Sequence, residues 1–109
     1  MNNEDKYMLE MAAKAIQKEF YESTIGAPCM VKDSGFVVEW YPHELWNDAG
    51  QLAADLNLNI SFHKKGVAIL ESGEFNITTE LYEKHNNDKI KAACYAITRA
   101  AAEIGRKIK

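Results

Sequence analysis

The sequence predicts a single α+β domain spanning residues 1–109, in which a five-stranded, mainly antiparallel sheet is covered by helices. The expected order is α-ββ-α-βββ-α, which corresponds to an α/β/α sandwich. Three observations support this prediction. Apolar residues recur at helical spacing near both ends of the chain, and short apolar runs separated by glycine-containing turns lie between them. The length of 109 residues is also normal for one hydrophobic core.

The first helix is predicted to run from Asn3 or Asp5 to Phe20. An apolar stripe at three-and-four spacing supports it, formed by Met8, Met11, Ala12, Ala15 and Ile16. The segment Gly26-Ala27-Pro28 ends this region and begins an extended one. The apolar runs Cys29–Lys32 and Phe36–Trp40 flank a turn at Asp33-Ser34-Gly35, a pattern typical of a β-hairpin.

A short second helix is predicted after Asp48-Ala49-Gly50-Gln51, because an aspartate followed three residues later by glutamine forms a capping box. Three strands of an antiparallel meander follow. The first alternates from Ile60 through Phe62, the second is Val67–Leu70, and the third is Phe75–Thr79 after a turn at Glu71–Glu74.

The last helix is predicted to begin after Asn87 or Asp88. Its apolar stripe consists of Ile90, Ala93, Cys94, Ile97, Ala101 and Ile104. Residues 88–109 carry a charge of +4 and residues 1–87 a charge of −7. A basic end on an acidic body could steer an anionic ligand, but a solvated helix face is the preferred interpretation.

Composition favours a cytoplasmic globular protein. No apolar run reaches the roughly 18 residues of a membrane span, and the first residues lack the pattern of a secretory signal. The net charge of −3 does not favour nucleic acid as a partner. Cys29 and Cys94 are expected to be buried thiols and not a disulfide.

No catalytic or metal-binding motif is present, so no enzyme activity, cofactor or metal is predicted. The sequence has no glycine-rich phosphate loop, no CxxC pair and no HExxH. His43, His63 and His85 lie about 20 residues apart, without ligand-like spacing.

The segment Trp40–Asp48, here called the aromatic loop, carries the strongest candidate binding residues. In one interpretation its tryptophans close the core, with Tyr41 and His43 more exposed. In the other, the rings form a surface for a protein or a base. Arg99, off the apolar stripe of the last helix, is the best candidate for contacting an anion. The hypothetical binding set is therefore Trp40, Tyr41, His43, Trp46 and Arg99.

Three segments resemble small tailed-phage proteins of the phage ABA-sandwich-domain type. They are Trp40-Tyr41-Pro42, the run from Asn47 to Leu58, and the alanine-rich ending from Ala92 to Gly105 with its central arginine. The resemblance implies a phage or prophage origin and an α/β/α layered fold. It brings no catalytic residue, because the family has no established activity.

The leading hypothesis is a non-enzymatic phage accessory protein in the cytoplasm of the host cell. It would bind a host protein and so inhibit a host defence system. One alternative is a protein that binds or sequesters a small anionic ligand such as a nucleotide signal, as a homo-oligomer. An enzyme of unknown class is the third.

Overall fold

Three helices and two separate three-stranded antiparallel sheets form the fold in the computed structural model, which describes residues 1–71 and 75–108. The helices are α1 (Asn3–Ala15), α2 (Trp46–Asp55) and α3 (Lys89–Arg106), with a short 3-10 helix at Tyr82–His85 before α3. The strands of the first sheet are β1 (Glu19–Glu22), β2 (Pro28–Val31) and β3 (Val37–Glu39). Those of the second are β4 (Leu58–Phe62), β5 (Gly66–Glu71) and β6 (Phe75–Leu81).

The α+β class is confirmed, but the prediction of one five-stranded sheet is wrong. The first sheet packs against α1, and the second packs against α3. α1 and α3 also pack extensively on each other, so this helix pair links the two sheets. The expected α/β/α sandwich, with helices outside one sheet, is therefore not observed.

The additional strand β1 arises because α1 ends at Ala15 and not at Phe20. Gln17 adopts a left-handed backbone with φ of 58°. Its N–H donates to the Lys14 carbonyl at 3.0 Å, and the Lys18 N–H donates to the Ala13 carbonyl at 2.9 Å. This is the Schellman arrangement that closes a helix, usually built around glycine.

The two hairpin regions are confirmed. β2 pairs with β3 across the predicted turn, where Gly35 has a φ of 89°. β4, β5 and β6 form the predicted meander, with a β-bulge where β6 passes Ile69 and Leu70. Of the predicted turn at 71–74, residues 72–74 lie outside the described residues.

The capping box predicted at Asp48 is wrong, since α2 begins two residues earlier, with Leu45 at its N-cap position and no side-chain cap. Asp48 instead accepts a hydrogen bond from the Tyr41 N–H at 2.9 Å. This contact ties the aromatic loop to the first turn of α2. Its carboxylate is also favourably placed near the positive end of the helix dipole.

The last helix is confirmed, with Asp88 as its cap, accepting from the Lys91 N–H at 3.0 Å. More of its circumference is buried than the predicted stripe, because α1, α2 and the second sheet all pack on it. Ile90, placed on the stripe, is exposed. The buried residues of α3 are mostly small: Ala92, Ala93, Cys94, Ala96, Ile97, Thr98, Ala100, Ala101 and Gly105.

Candidate anion-binding site

The aromatic loop divides between core and surface. Trp40 and Pro42 are buried, so this part of the loop closes the core as the structural interpretation predicts. Trp46 does not close the core. It is 42% exposed at the start of α2, next to exposed Leu45. The expectation that both tryptophans are structural is therefore correct for Trp40 and wrong for Trp46.

His43 was expected to be exposed, but its side chain is only 9% exposed. Its ring lies against that of Tyr41, with centroids 6.4 Å apart. Its Nδ1 is buried without a hydrogen-bond partner among the described residues. Tyr41 is partly buried, and its hydroxyl donates to Glu39 Oε1 at 2.6 Å.

Arg99 does not join the aromatic loop. Arg99 lines a cavity beside α1, α3 and β6, whereas Tyr41 and His43 line a different cavity near the first sheet. Trp46 lines neither of the two. The five predicted binding residues therefore do not form one site.

Arg99 is held by a buried carboxylate. Glu80, on β6, is almost fully buried; one of its oxygens contacts the Arg99 guanidinium and the other lies 3.0 Å from His85 Nε2. A buried carboxylate needs such partners, because removing it from water without them costs several kcal/mol. The His85 ring in turn packs against Tyr95, with centroids 5.2 Å apart.

The Arg99 side chain is nevertheless 45% exposed, so only part of its guanidinium is used by Glu80. A guanidinium has five N–H donors in a planar fork. Arg99 also lines the cavity, so its guanidinium is a candidate to contact a ligand there. The Glu80 contact therefore orients Arg99 without exhausting its capacity to bind an anion.

The cavity beside Arg99, here called the Arg99 cavity, has a volume of about 280 Å³. Its wall combines two arginines, a glutamate, two tyrosines, a threonine and apolar side chains: Tyr7, Met8, Ile77, Thr78, Tyr95, Arg99, Ala102, Glu103 and Arg106. Its volume is close to the small end of the range for ligand sites.

The wall contains two arginines, each of which has a carboxylate partner. Arg106 is paired with Glu103 at 2.8 Å, and Arg99 is paired with Glu80, which does not itself line the cavity. The lining residues therefore carry two positive charges and one negative charge. Burial is the main reason that the pKa of the Tyr95 hydroxyl is raised, so this ring is neutral and can donate.

Sequence reasoning identified Arg99 but missed Glu80, His85, Tyr95 and Arg106. A usable signal was present, because Tyr95, Arg99, Ala102 and Arg106 recur at three-and-four spacing and form a second stripe on α3. Glu80 gave no such signal, since a glutamate in a strand reads as an exposed residue until the register is known.

Cys94 is a structural thiol, as predicted. It is buried on α3, and burial raises the pKa of its thiol to about 11. Cys29 is also buried and free. In residues 1–71 and 75–108, no group of three or more potential ligand side chains is arranged to hold a metal ion.

No helix in the described ranges is long and apolar enough to cross a membrane. Comparisons with protein-family models, curated proteins and solved structures found no match for this chain. The phage resemblance therefore rests on the three sequence segments alone.

Proposed function

We propose that this protein binds a small anionic ligand with an aromatic ring, of the nucleotide class, in the Arg99 cavity. The observation that carries the proposal is the partly exposed Arg99, which a buried glutamate orients at the wall of a cavity. No chemical step is part of the proposal. The protein would bind or sequester its ligand.

The arrangement of Arg99 supports an anionic ligand. Charge-assisted hydrogen bonds from an arginine are strongest when the side chain is already oriented, since less conformational entropy is lost on binding. Arg106 lies seven residues further along α3, about 10 Å along the helix axis. An anion bound to Arg99 would therefore also feel the positive charge of Arg106.

The two tyrosines support an aromatic group in the ligand. Tyr7 on α1 and Tyr95 on α3 both line the cavity, and Tyr7 is exposed. Stacking of a base on an aromatic side chain contributes about 1–3 kcal/mol and tolerates different bases. Thr78 adds a hydroxyl that can donate to the ligand or accept from it.

A titration with the four nucleoside monophosphates, followed by amide chemical shifts, tests this proposal. We expect saturable shifts at Tyr7, Thr78, Tyr95 and Arg99, and weaker binding of the corresponding nucleosides. Arg106→Gln should weaken nucleotide binding about threefold to tenfold, because it removes a positive charge near the anion.

Lys91→Gln is the matched control, since it removes a positive charge from α3 at an exposed position outside the cavity. It should leave the affinity nearly unchanged. If the two variants lose affinity equally, or if nucleosides bind as well as nucleotides, the anion site is wrongly placed.

A second candidate function is the binding of a host protein by a phage accessory protein, which would inhibit host defence. The observation that favours it is the exposure of Leu45 and Trp46, adjacent large apolar side chains at the start of α2. Exposed tryptophans are frequent anchors of protein interfaces. The assignment to phage comes from the sequence resemblance.

Capture from a lysate of the host bacterium tests this second function. We expect one specific host protein to be retained, and Trp46→Ala to lose most of it. Phe62→Ala, which removes an exposed ring from β4, is the control and should retain the partner. Equal capture by wild type and Trp46→Ala would show that this surface is not the interface.

A further inference from the structure

Each sheet in the described ranges ends in two edge strands, since the strand orders are β1-β2-β3 and β4-β5-β6. An edge strand presents N–H and C=O groups that can pair with another chain, and proteins protect such edges with charges, bulges or short strands. Three of these edges are protected. β1 begins and ends on the glutamates Glu19 and Glu22, β3 has only three residues, and β6 contains the β-bulge.

β4 lacks all three protections. Its sequence, Leu58-Asn59-Ile60-Ser61-Phe62, has no charged residue and no proline, and its pairing with β5 is regular over its whole length. The preceding helix α2 packs mainly on α3, and both Asn59 and Phe62 are exposed. β4 therefore presents an open, uncharged edge.

Alternate residues of β4 direct their backbone groups to this open side. The His63 N–H donates to the Gly66 carbonyl at 2.8 Å, and this bond sets the phase of the β4–β5 ladder. Because hydrogen-bonding residues alternate along an antiparallel pair, Ser61 bonds to β5, as His63 does. Ile60 and Phe62 therefore point their N–H and C=O groups away from β5.

We propose that the β4 edge pairs antiparallel with β4 of a second copy of this chain, about a two-fold axis at Ile60. In this register Ile60 lies opposite Ile60 of the second copy, and Phe62 lies opposite its Leu58. These apolar side chains meet on the face that packs into the core, where Phe62 is otherwise half exposed. On the other face Asn59 lies opposite Ser61, so polar side chains meet there.

The charges that flank β4 complement each other in this arrangement. Asp55 ends α2 just before the strand, and Glu71 of β5 pairs with Leu58 at the same end. Lys64 and Lys65 follow the other end. All four charged side chains are exposed, and none has an ion-pair partner within the described part of the chain. The two-fold axis brings the acidic end of each strand to the basic end of the other, whereas a parallel pair would join like charges.

The Arg99 cavity stays open in this dimer. Ile77 and Thr78 of β6 line that cavity, and β6 is at the opposite edge of the sheet from β4. Self-association can also be measured without any ligand. The dimer and the nucleotide site can therefore fail independently of each other.

Sedimentation equilibrium of the purified chain tests the dimer. We expect a reversible monomer–dimer equilibrium, and Phe62→Lys should raise its dissociation constant at least about tenfold, because a charge enters the paired edge. Phe36→Lys is the matched control, since Phe36 is 73% exposed outside β4, and it should leave the constant unchanged. A wild-type chain that stays monomeric at millimolar concentration, or an equal loss in the control, would overturn the proposal. Amide spectra verify that both variants are folded.

A charge exchange tests the antiparallel register. Lys65→Glu should weaken the dimer about threefold to tenfold, because it sets a negative charge near Asp55 of the second copy. Adding Asp55→Lys to the same chain reverses both charges and should restore the dimer. If the double variant were as weak as Lys65→Glu alone, the two ends of β4 would not meet.

Hydrogen exchange locates the interface on β4. The N–H groups of Ile60 and Phe62 should exchange at least about tenfold more slowly at concentrations where the dimer forms, because each then donates to the second copy. The Ser61 N–H bonds to β5 within the chain, so its protection should not depend on concentration. A dimer in which Ile60 and Phe62 exchange as fast as in the monomer would contradict pairing through this edge.

Discussion

At the scale of single residues, the candidate anion site depends on Glu80. Its carboxylate is buried and is satisfied by Arg99 and His85. The ion pair between Glu80 and Arg99 therefore has two roles. It allows a charge to be buried on β6, and it fixes the orientation of an arginine that remains partly exposed to the cavity.

This double role gives a stability prediction for Arg99→Ala. The change removes one of the two side-chain partners of the buried Glu80 carboxylate that are seen among the described residues and leaves His85 in place. We therefore expect the free energy of unfolding to fall by about 2 kcal/mol. Urea unfolding at neutral pH measures it.

Arg106→Ala is the control, because it breaks only an exposed ion pair with Glu103 on the same helix. Such pairs contribute about 1 kcal/mol or less. If the two arginine variants were equally stable, Arg99 would not be needed to compensate the burial of Glu80.

At the scale of elements, the sequence predicts those segments in which local chemistry and tertiary packing agree. The hairpin around Gly35, the meander and α3 were all found, because turn residues, alternation and helical spacing are local signals. The end of α1 was not predictable in this way. Gln17 adopts a left-handed conformation that sequence rules reserve for glycine or asparagine.

The start of α2 shows the same limit. Asp48 has the chemistry of a cap, but its carboxylate accepts from the Tyr41 N–H across the aromatic loop. An aspartate can cap a helix or accept a hydrogen bond from a distant backbone N–H, and sequence rules predict the cap because it is the local contact. The tertiary contact is therefore visible only in the fold.

The crossing of α1 and α3 gives a prediction at this scale. A Cβ at Gly105 would lie 1.8 Å from the Met11 carbonyl oxygen, so the backbones of the two helices approach closely there. Gly105→Ala should force the helices apart and lower stability by about 2 kcal/mol or more. Thermal unfolding of the purified variants measures this effect.

Gly50→Ala is the matched control, because Gly50 lies inside α2 and a Cβ there meets no atom within 4 Å. Alanine is the better helix former, so this variant should gain about 0.5–1 kcal/mol. Opposite signs for the two substitutions are expected. A neutral Gly105→Ala would mean that the helices are not in close contact at this point.

At the scale of the whole molecule, residues of α1 line two separate cavities. Tyr7 and Met8 line the Arg99 cavity, and Asp5, two residues earlier on the same helix, lines the cavity that Tyr41 and His43 line. This arrangement depends on the presence of two separate sheets, which the sequence did not predict. Helical stripes show that a face is buried, but they do not state which sheet covers it.

For the same reason the binding residues could be predicted only in part. Residues of the aromatic loop and Arg99 were named together as one hypothetical binding set, but Arg99 lines a different cavity from Tyr41 and His43. Residues that are distant in sequence come together only through the packing of α1 and α3. No pattern along the chain predicts the distance between two such residues.

The most direct test of the central proposal, that the Arg99 cavity holds an aromatic anion, is the native mass spectrum of protein purified from its host cells. We predict a bound mass of nucleotide size that is released on heating, absorbs in the ultraviolet, and is reduced in Arg106→Gln. A spectrum showing ligand-free protein, together with no saturable shifts on adding nucleotides, would contradict the proposal.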